Sequence, residues 1–348
     1  MPKILAVYTG GTICSFETKK CRSLDITRAK RLIESRFLEN KGEFDITEEV
    51  VFIDSVVDKQ TLSENMTIEK LCFIAEHIRS FELNQYDGII VLHGTDTLAY
   101  TASFLSFVFS EIDIPLILVS GHKPPNEAGT NANENFGTAV KLIVEGIAPN
   151  VYAVYKNTDG KMWLHLGATL MQCPNFSDDF DNASEDKKML VGDYDLYEKC
   201  RKFSHNRKHF DFEVKSRKKV LKISPYTGLD YENINLENVG AVIHGTYHSG
   251  TVCVERMSRN DNYSSQSLLW FADRCREKNI PIFIAPTKLS KEQYSSVYDA
   301  VENGGVIPLD MSTETAYVKA LSGVMSGLFG EELPAFMTSE INNEFKYD

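Results

Sequence analysis

Gly88-Ile89-Ile90-Val91-Leu92-His93-Gly94-Thr95-Asp96-Thr97 decides how this chain is read. Five apolar residues run without a polar interruption and then break into a turn carrying glycine, hydroxyls and a carboxylate. The same pattern opens the chain, where Ile4-Leu5-Ala6-Val7-Tyr8 leads into Thr9-Gly10-Gly11-Thr12. An unbroken apolar run, as opposed to an alternating one, marks a strand covered on both faces, as in a parallel sheet. Open sheets of that kind bind ligands outside the carboxyl ends of their strands. Both turns are therefore expected where a site would be built.

The flanking sequence supports the same architecture. Asp25 is placed to cap a helix whose Ala29, Leu32, Ile33 and Phe37 share one face. Val50 to Ile53 reads as a short strand. Ile68, Leu71, Cys72, Ala75 and Ile78 recur at helical spacing from Thr67. The largely apolar helix from Leu98 to Phe109 is predicted to be buried. Leu116 to Val119 is strand, and Asn131 to Val144 is helix. Alternation of this kind specifies an α/β fold with mostly parallel sheets. Residues 184–218 change character: Glu185-Asp186-Lys187-Lys188, Arg201-Lys202 and Arg207-Lys208-His209 make the stretch highly charged. It is read as a linker between an N-terminal α/β domain, 1–183, and a smaller C-terminal α/β domain, 219–348. The second domain is predicted to hold strands Val220 to Ile223, Ala241 to His244 and Pro281 to Ala285. Its helices are expected over Ser264 to Arg276, Lys291 to Val301 and Ser312 to Leu328. Asn342 to Asp348 is expected to be frayed.

Composition narrows the function. The chain of 348 residues carries a formal net charge of −12. That argues against nucleic acid or an acidic membrane surface as partner. No apolar run reaches the length of a membrane span, and the N-terminus does not have the pattern of a secretory signal, so a cytoplasmic location is expected. The seven cysteines are irregularly spaced, with no C-x-x-C pair, and read as free thiols in a reducing compartment. No metal site is expected. His244 and His248 stand four apart, but they follow a strand, so they do not share a helical face.

Neither turn fits a nucleotide motif. Thr9-Gly10-Gly11-Thr12 lacks the G-x-G-x-x-G spacing and the lysine of a phosphate-binding loop. It reads either as a plain strand-ending turn or as a device that lets a ligand approach the backbone while Thr12 faces a pocket. In the second turn, Asp96 or Thr97 could simply cap the following helix. Alternatively, the Thr95 hydroxyl and the Asp96 carboxylate share a pocket with Thr12. His93 is read as structural, bonded to backbone.

With both strings in hand, the sequence resembles the bacterial-type L-asparaginase family, and within it the cytoplasmic type I branch. The similarity extends to Ser63-Glu64-Asn65-Met66-Thr67, to Thr130-Asn131-Ala132 with Asn135, and to Gly305-Val306-Ile307-Pro308 with Asp310-Met311. The resemblance implies an amidohydrolase that converts L-asparagine to L-aspartate and ammonia without metal or organic cofactor. It implies Thr12 as the nucleophile, with Thr95 and Asp96 in a second activating group. Gly11, Ser63, Glu64, Gly94, Thr95 and Asp96 are implied to bind substrate, Asp96 the α-amino group and Ser63 the α-carboxylate. It also implies a homodimer or homotetramer in which the C-terminal domain of one subunit closes the N-terminal site of another.

The chain departs from the pattern twice. The loop Ile13 to Leu24 contains no tyrosine, where the family carries one. The segment matching the family's activating lysine reads Gly167-Ala168-Thr169-Leu170-Met171-Gln172-Cys173, which brings Gln172 to the lysine position. A neutral amide supplies neither a base nor a positive charge; Lys123 and Lys161 are the nearby candidates to replace it. Two alternatives follow: hydrolysis of another small carboxamide, or a catalytically decayed relative that binds an amino acid.

Overall fold

The computed structural model describes residues 1–18, 21–256, 263–288 and 294–346. The chain divides into two compact units, Met1–Phe210 with Ile341–Asn343, and Asp211–Glu340 with Glu344–Asp348. Both are α/β with mostly parallel sheets.

In the first unit, strands β1 (Lys3–Gly10), β4 (Val51–Thr61), β5 (Gly88–Leu92), β6 (Leu116–Val119) and β7 (Val151–Lys156) lie parallel in the order β4-β1-β5-β6-β7. Strands β8 (Met162–Leu166) and β9 (Lys188–Leu190) add an antiparallel edge. A two-stranded hairpin, β2 (Ser15–Glu17) and β3 (Arg22–Leu24), follows the first turn. The helices are α1 (Ile26–Asn40), α2 (Ile68–Arg79), α3 (Leu98–Val108), α4 (Ala132–Val144) and α5 (Leu196–His205). Asp25 caps α1 by accepting from the Arg28 amide at 3.0 Å, and Thr67 caps α2 through the Lys70 amide. Every residue of β5 is buried and all but Tyr100 of α3 is buried, as their unbroken apolar sequences require.

Three expectations are corrected. The short strand at Val50 to Ile53 is an eleven-residue strand, because its polar second half still pairs with β1 up to Gly10 opposite Thr61. The charged stretch 184–218 does not run as a linker. Leu196, Cys200 and Phe203 of α5 enter the core of the first unit, and the unit boundary falls after Phe210. Arg201 and Lys202 lie on the exposed face of this amphipathic helix, which composition alone makes look like a connection. The described residues of the C-terminal segment are not frayed either: Asn342, Asn343 and Glu344 are buried, while 347–348 lie outside the described residues. The Asn342 amide donates to the Ser106 carbonyl and the Asn343 amide to that of Phe203, each at 2.9 Å.

In the second unit β10 (Lys219–Ile223), β11 (Val239–Gly245), β12 (Ile282–Ala285) and β13 (Ile307–Pro308) pair in sequence order, all parallel. Its helices are α6 (Leu268–Glu277), α7 (Ser295–Glu302), α8 (Thr313–Met325) and α9 (Glu332–Thr338). The beginning of the helix expected from Lys291 lies outside the described residues. Among the described residues, no helix is long and apolar enough to cross a membrane.

Candidate active site

Strands β4, β1 and β5 are neighbours, and their carboxyl ends lie at one level: Tyr8 stands opposite Leu92, and Gly10 opposite Thr61. The turns that leave them carry Ser63, Thr12 and Thr95. Contact between these turns is closest at the backbone. Gly11 has φ of 77°, and a β-carbon there would come within 2.2 Å of the Gly94 backbone. One on Gly94 would meet the Ser63 hydroxyl oxygen at 2.5 Å and the Gly11 α-carbon at 2.9 Å. Only glycine fits at either place, because the three turns pack without room for a methyl group. The Gly11 amide also donates to the Thr61 carbonyl at 3.0 Å, and the Thr9 hydroxyl to the Leu92 carbonyl at 2.8 Å.

Side chains then join the turns. The Ser63 hydroxyl donates to the Asp96 carboxylate at 3.0 Å and accepts from the Asp96 amide at 3.2 Å. The Thr97 hydroxyl donates to the Ser63 carbonyl at 3.0 Å. Thr97 holds the N-cap position of α3 without a side-chain capping bond. Both polar side chains that could have capped the helix are thus committed to the Ser63 segment, and the plain side-chain cap is not made. The Thr12 and Thr95 hydroxyls make no hydrogen bond to another described residue.

A cavity of about 360 Å³ opens beside the second turn, walled by Thr95, Asp96, Tyr155, Gln172, Cys173 and residues 174–178. Gly11, Thr12, Ser63, Glu64 and Gly94 lie outside this wall, so the cavity beside Thr95 and Asp96 does not include Thr12 as the sequence led one to expect; Glu64 is exposed. Gln172 is exposed into the cavity, so the neutral amide does share it with Thr95 and Asp96. Neither Lys123 nor Lys161 reaches the wall. Lys161 lies with its ammonium 5.8 Å from the centre of the Trp163 ring. The wall therefore holds two carboxylates, Asp96 and Asp178, and no basic side chain. Cys173 is no nucleophile at neutral pH: burial, then the charges of Asp178, Asp179 and Asp96, push its thiol up to about 12.

His93 is structural, as its sequence context implied. It is fully buried, with one ring nitrogen 2.8 Å from the Gly94 carbonyl and the other 2.9 Å from the Thr101 hydroxyl. Burial pushes its pKa down to about 4, against the Gly94 carbonyl and Asp96, so the ring is neutral at pH 7. Asn131 and Asn135 are structural too. Asn131 accepts from the His122 amide and donates to the Lys156 carbonyl. Asn135 ties the Ser120 carbonyl to the Lys156 amide. The loop lacking tyrosine becomes the β2–β3 hairpin, where Arg22 pairs with Glu127 at 3.3 Å.

Sequence reasoning did not find Tyr155 or the 173–178 segment. Tyr155 ends an apolar run, Val151 to Tyr155, of the same kind as the two that led to the turns. Its strand lies parallel to β6, with Val119 opposite Val154 and Leu92 opposite Val119, so Tyr155 reaches the same sheet edge.

Known proteins share this fold and, over part of the chain, resemble its sequence. Residues 3–179 match the family model described as asparaginase, N-terminal. The L-asparaginase of Thermococcus kodakarensis is 31% identical over 153 residues, 44% of this chain and 44% of that protein. A glutamyl-tRNA(Gln) amidotransferase subunit from Methanococcus maripaludis is 25% identical over 319 residues, 86% of this chain and 73% of that protein. Among solved structures, L-asparaginase I from Vibrio cholerae has a TM-score of 0.74 at 23% identity, covering 99% of both chains. The thermostable L-asparaginase from Thermococcus kodakarensis has a TM-score of 0.73 at 22% identity, covering 99% of this chain and all of that one.

Proposed function

This chain belongs to the asparaginase family, an amidohydrolase family acting on carbon–nitrogen bonds, and from that premise we propose that it hydrolyses the side-chain amide of L-asparagine to L-aspartate and ammonia. The Thr12 hydroxyl attacks the amide carbon, ammonia leaves, and water cleaves the resulting ester to free the acid and the threonine. Asp96 holds the α-ammonium group, Ser63 the α-carboxylate, and Thr95 and Asp96 activate the attacking water. Gly11 and Gly94 let the substrate approach the backbone. The observation that supports this reading is the glycine contact between residues 11 and 94, which packs together the two turns that carry Thr12 and Thr95. The protein acts in the cytoplasm as a homodimer or homotetramer. Ammonia release from L-asparagine tests the reading, with Thr12→Ala as control. Loss of the nucleophile is expected to lower the rate at least about 10³-fold. Release no faster than in that variant removes the assignment.

A second reading is favoured by Gln172 in the cavity and by relatives described as amidotransferase subunits. In it, the site accepts a different carboxamide, glutamine first among them, or binds an amino acid without turnover. Parallel assays on glutamine and D-asparagine, with calorimetry for aspartate, separate these cases.

A further inference from the structure

Tyr155 is a polar side chain that the fold buries and then leaves unused. It is fully buried, and its hydroxyl makes no hydrogen bond of good geometry to a described residue; the Asn131 side-chain amide is its one polar neighbour and, as a donor, leaves the phenol's own proton unplaced. Its ring is held rigidly, edge-on to Phe180 with centroids 4.8 Å apart and planes at 73°. A buried hydroxyl without a partner is destabilising, and native interiors avoid it unless a ligand or water completes the bond. Tyr155 is a wall residue of the cavity that holds Thr95, Asp96 and Gln172, with its hydroxyl closed off from solvent behind that wall. Its neighbours Tyr152 and Val154 face the opposite side and belong to the hydrophobic core, so the strand's alternation turns Tyr155 to the cavity side.

We propose that the Tyr155 hydroxyl is a substrate-binding group of this site, donating its hydrogen bond to an oxygen of the bound amide substrate. The cavity wall supplies acceptors in Asp96 and Asp178, which suit an ammonium group, but no basic donor for a substrate oxygen. The phenol fills that gap. Burial raises its pKa, partly offset by the neighbouring Asn131 amide, so the group keeps its proton at neutral pH and acts as a donor. The other hydroxyl and amide donors in the wall, on Thr95, Gln172, Asn175 and Ser177, are neutral too. A site that reads its ligand with neutral donors and acidic acceptors suits an uncharged carboxamide better than the carboxylate made from it.

The assignment rests on the amidohydrolase reading for the identity of the substrate, and its test keeps the two apart. Tyr155→Phe removes the hydroxyl and keeps the ring on Phe180. It is expected to raise KM for the amide about tenfold, with kcat changed much less and the melting temperature of the free protein not lowered. Phe180→Leu loosens the same packing but keeps the hydroxyl; it is expected to lower the melting temperature and leave KM near wild type. The thermal shift produced by asparagine and by glutamine is measured on all three proteins. If the wild-type protein releases no ammonia, the hydrolase reading fails, and Tyr155 is judged by the shift alone. A smaller shift in Tyr155→Phe than in wild type supports the assignment. An equal shift in the two, including none in either, overturns it, as does an unchanged KM or a KM that rises equally in Phe180→Leu.

Discussion

Gln172 is the residue on which the chemistry turns. It shares a cavity with Thr95, Asp96 and Asp178, and that wall contains no basic group to offset the two carboxylates. An acidic product entering it meets repulsion from both. Gln172→Lys places a cation among them. At a separation of a few ångströms near a protein surface, such a charge is worth several kcal/mol before solvation losses. Aspartate is expected to inhibit the variant about tenfold more tightly than wild type, measured as an inhibition constant in the ammonia assay. An unchanged constant would mean that residue 172 does not share the ligand's cavity. Thr95 and Asp96 were legible in the sequence, because an apolar run fixes which residues leave the strand end; Gln172 was reached only through the resemblance to the family's lysine segment. Tyr155 was not, because an apolar run ending in tyrosine looks the same whether its last ring faces core or cavity.

Elements decide how this protein responds to pH. Glu34 of α1 accepts a hydrogen bond from the buried Tyr8 of β1 at 2.7 Å, beside Asp54 of β4, which pairs with Lys30. Burial, followed by the neighbouring Asp54 carboxyl, pushes Glu34 up to about 7. A carboxyl whose folded pKa lies above its unfolded value stabilises the fold at low pH, and that contribution is lost as pH rises through about 7. Three buried histidines at or near strand ends act in the opposite sense. His93, His165 and His244 are each pushed down to about 4, chiefly by burial. The unfolded chain takes up protons that these rings refuse, so stability is full above about 6.5 and falls as pH drops toward 4. Each of the four shifts is of similar size, and three oppose one. The urea midpoint is therefore expected to fall between pH 7 and pH 5, and to fall more steeply in Glu34→Gln. A midpoint that holds or rises on acidification would contradict this balance. The amphipathic helices were legible as elements, since periodicity reports local geometry. The length of β4 was not, because its polar half is held by pairing with a neighbour distant in sequence.

At the scale of the whole molecule, the last described residues serve both units. Glu344 is fully buried in the second unit, 2.5 Å from the Lys319 ammonium, which also donates to the Met337 carbonyl at 3.2 Å and to that of Ser339. The rings of Phe336 and Phe345 lie within 5.3 Å and 4.9 Å of the same ammonium. Removing one partner strands a buried charge, so Glu344→Gln is expected to cost about 3 kcal/mol or more, read as a lower denaturation midpoint. A midpoint within error of wild type would show that the pair carries no net stability.

What the sequence determined by itself is local: buried strands, amphipathic helices, the glycine turns and the residues that leave them, all written in short-range pattern and steric preference. What tertiary structure alone decided is convergence. Gly11 meets Gly94, Tyr155 joins the wall that holds Asp96, and the apolar face of a charged stretch and a polar tail become buried parts of compact units. The physical reason is that burial and unpartnered hydrogen-bonding groups are properties of where distant segments meet, and short-range pattern does not record those meetings.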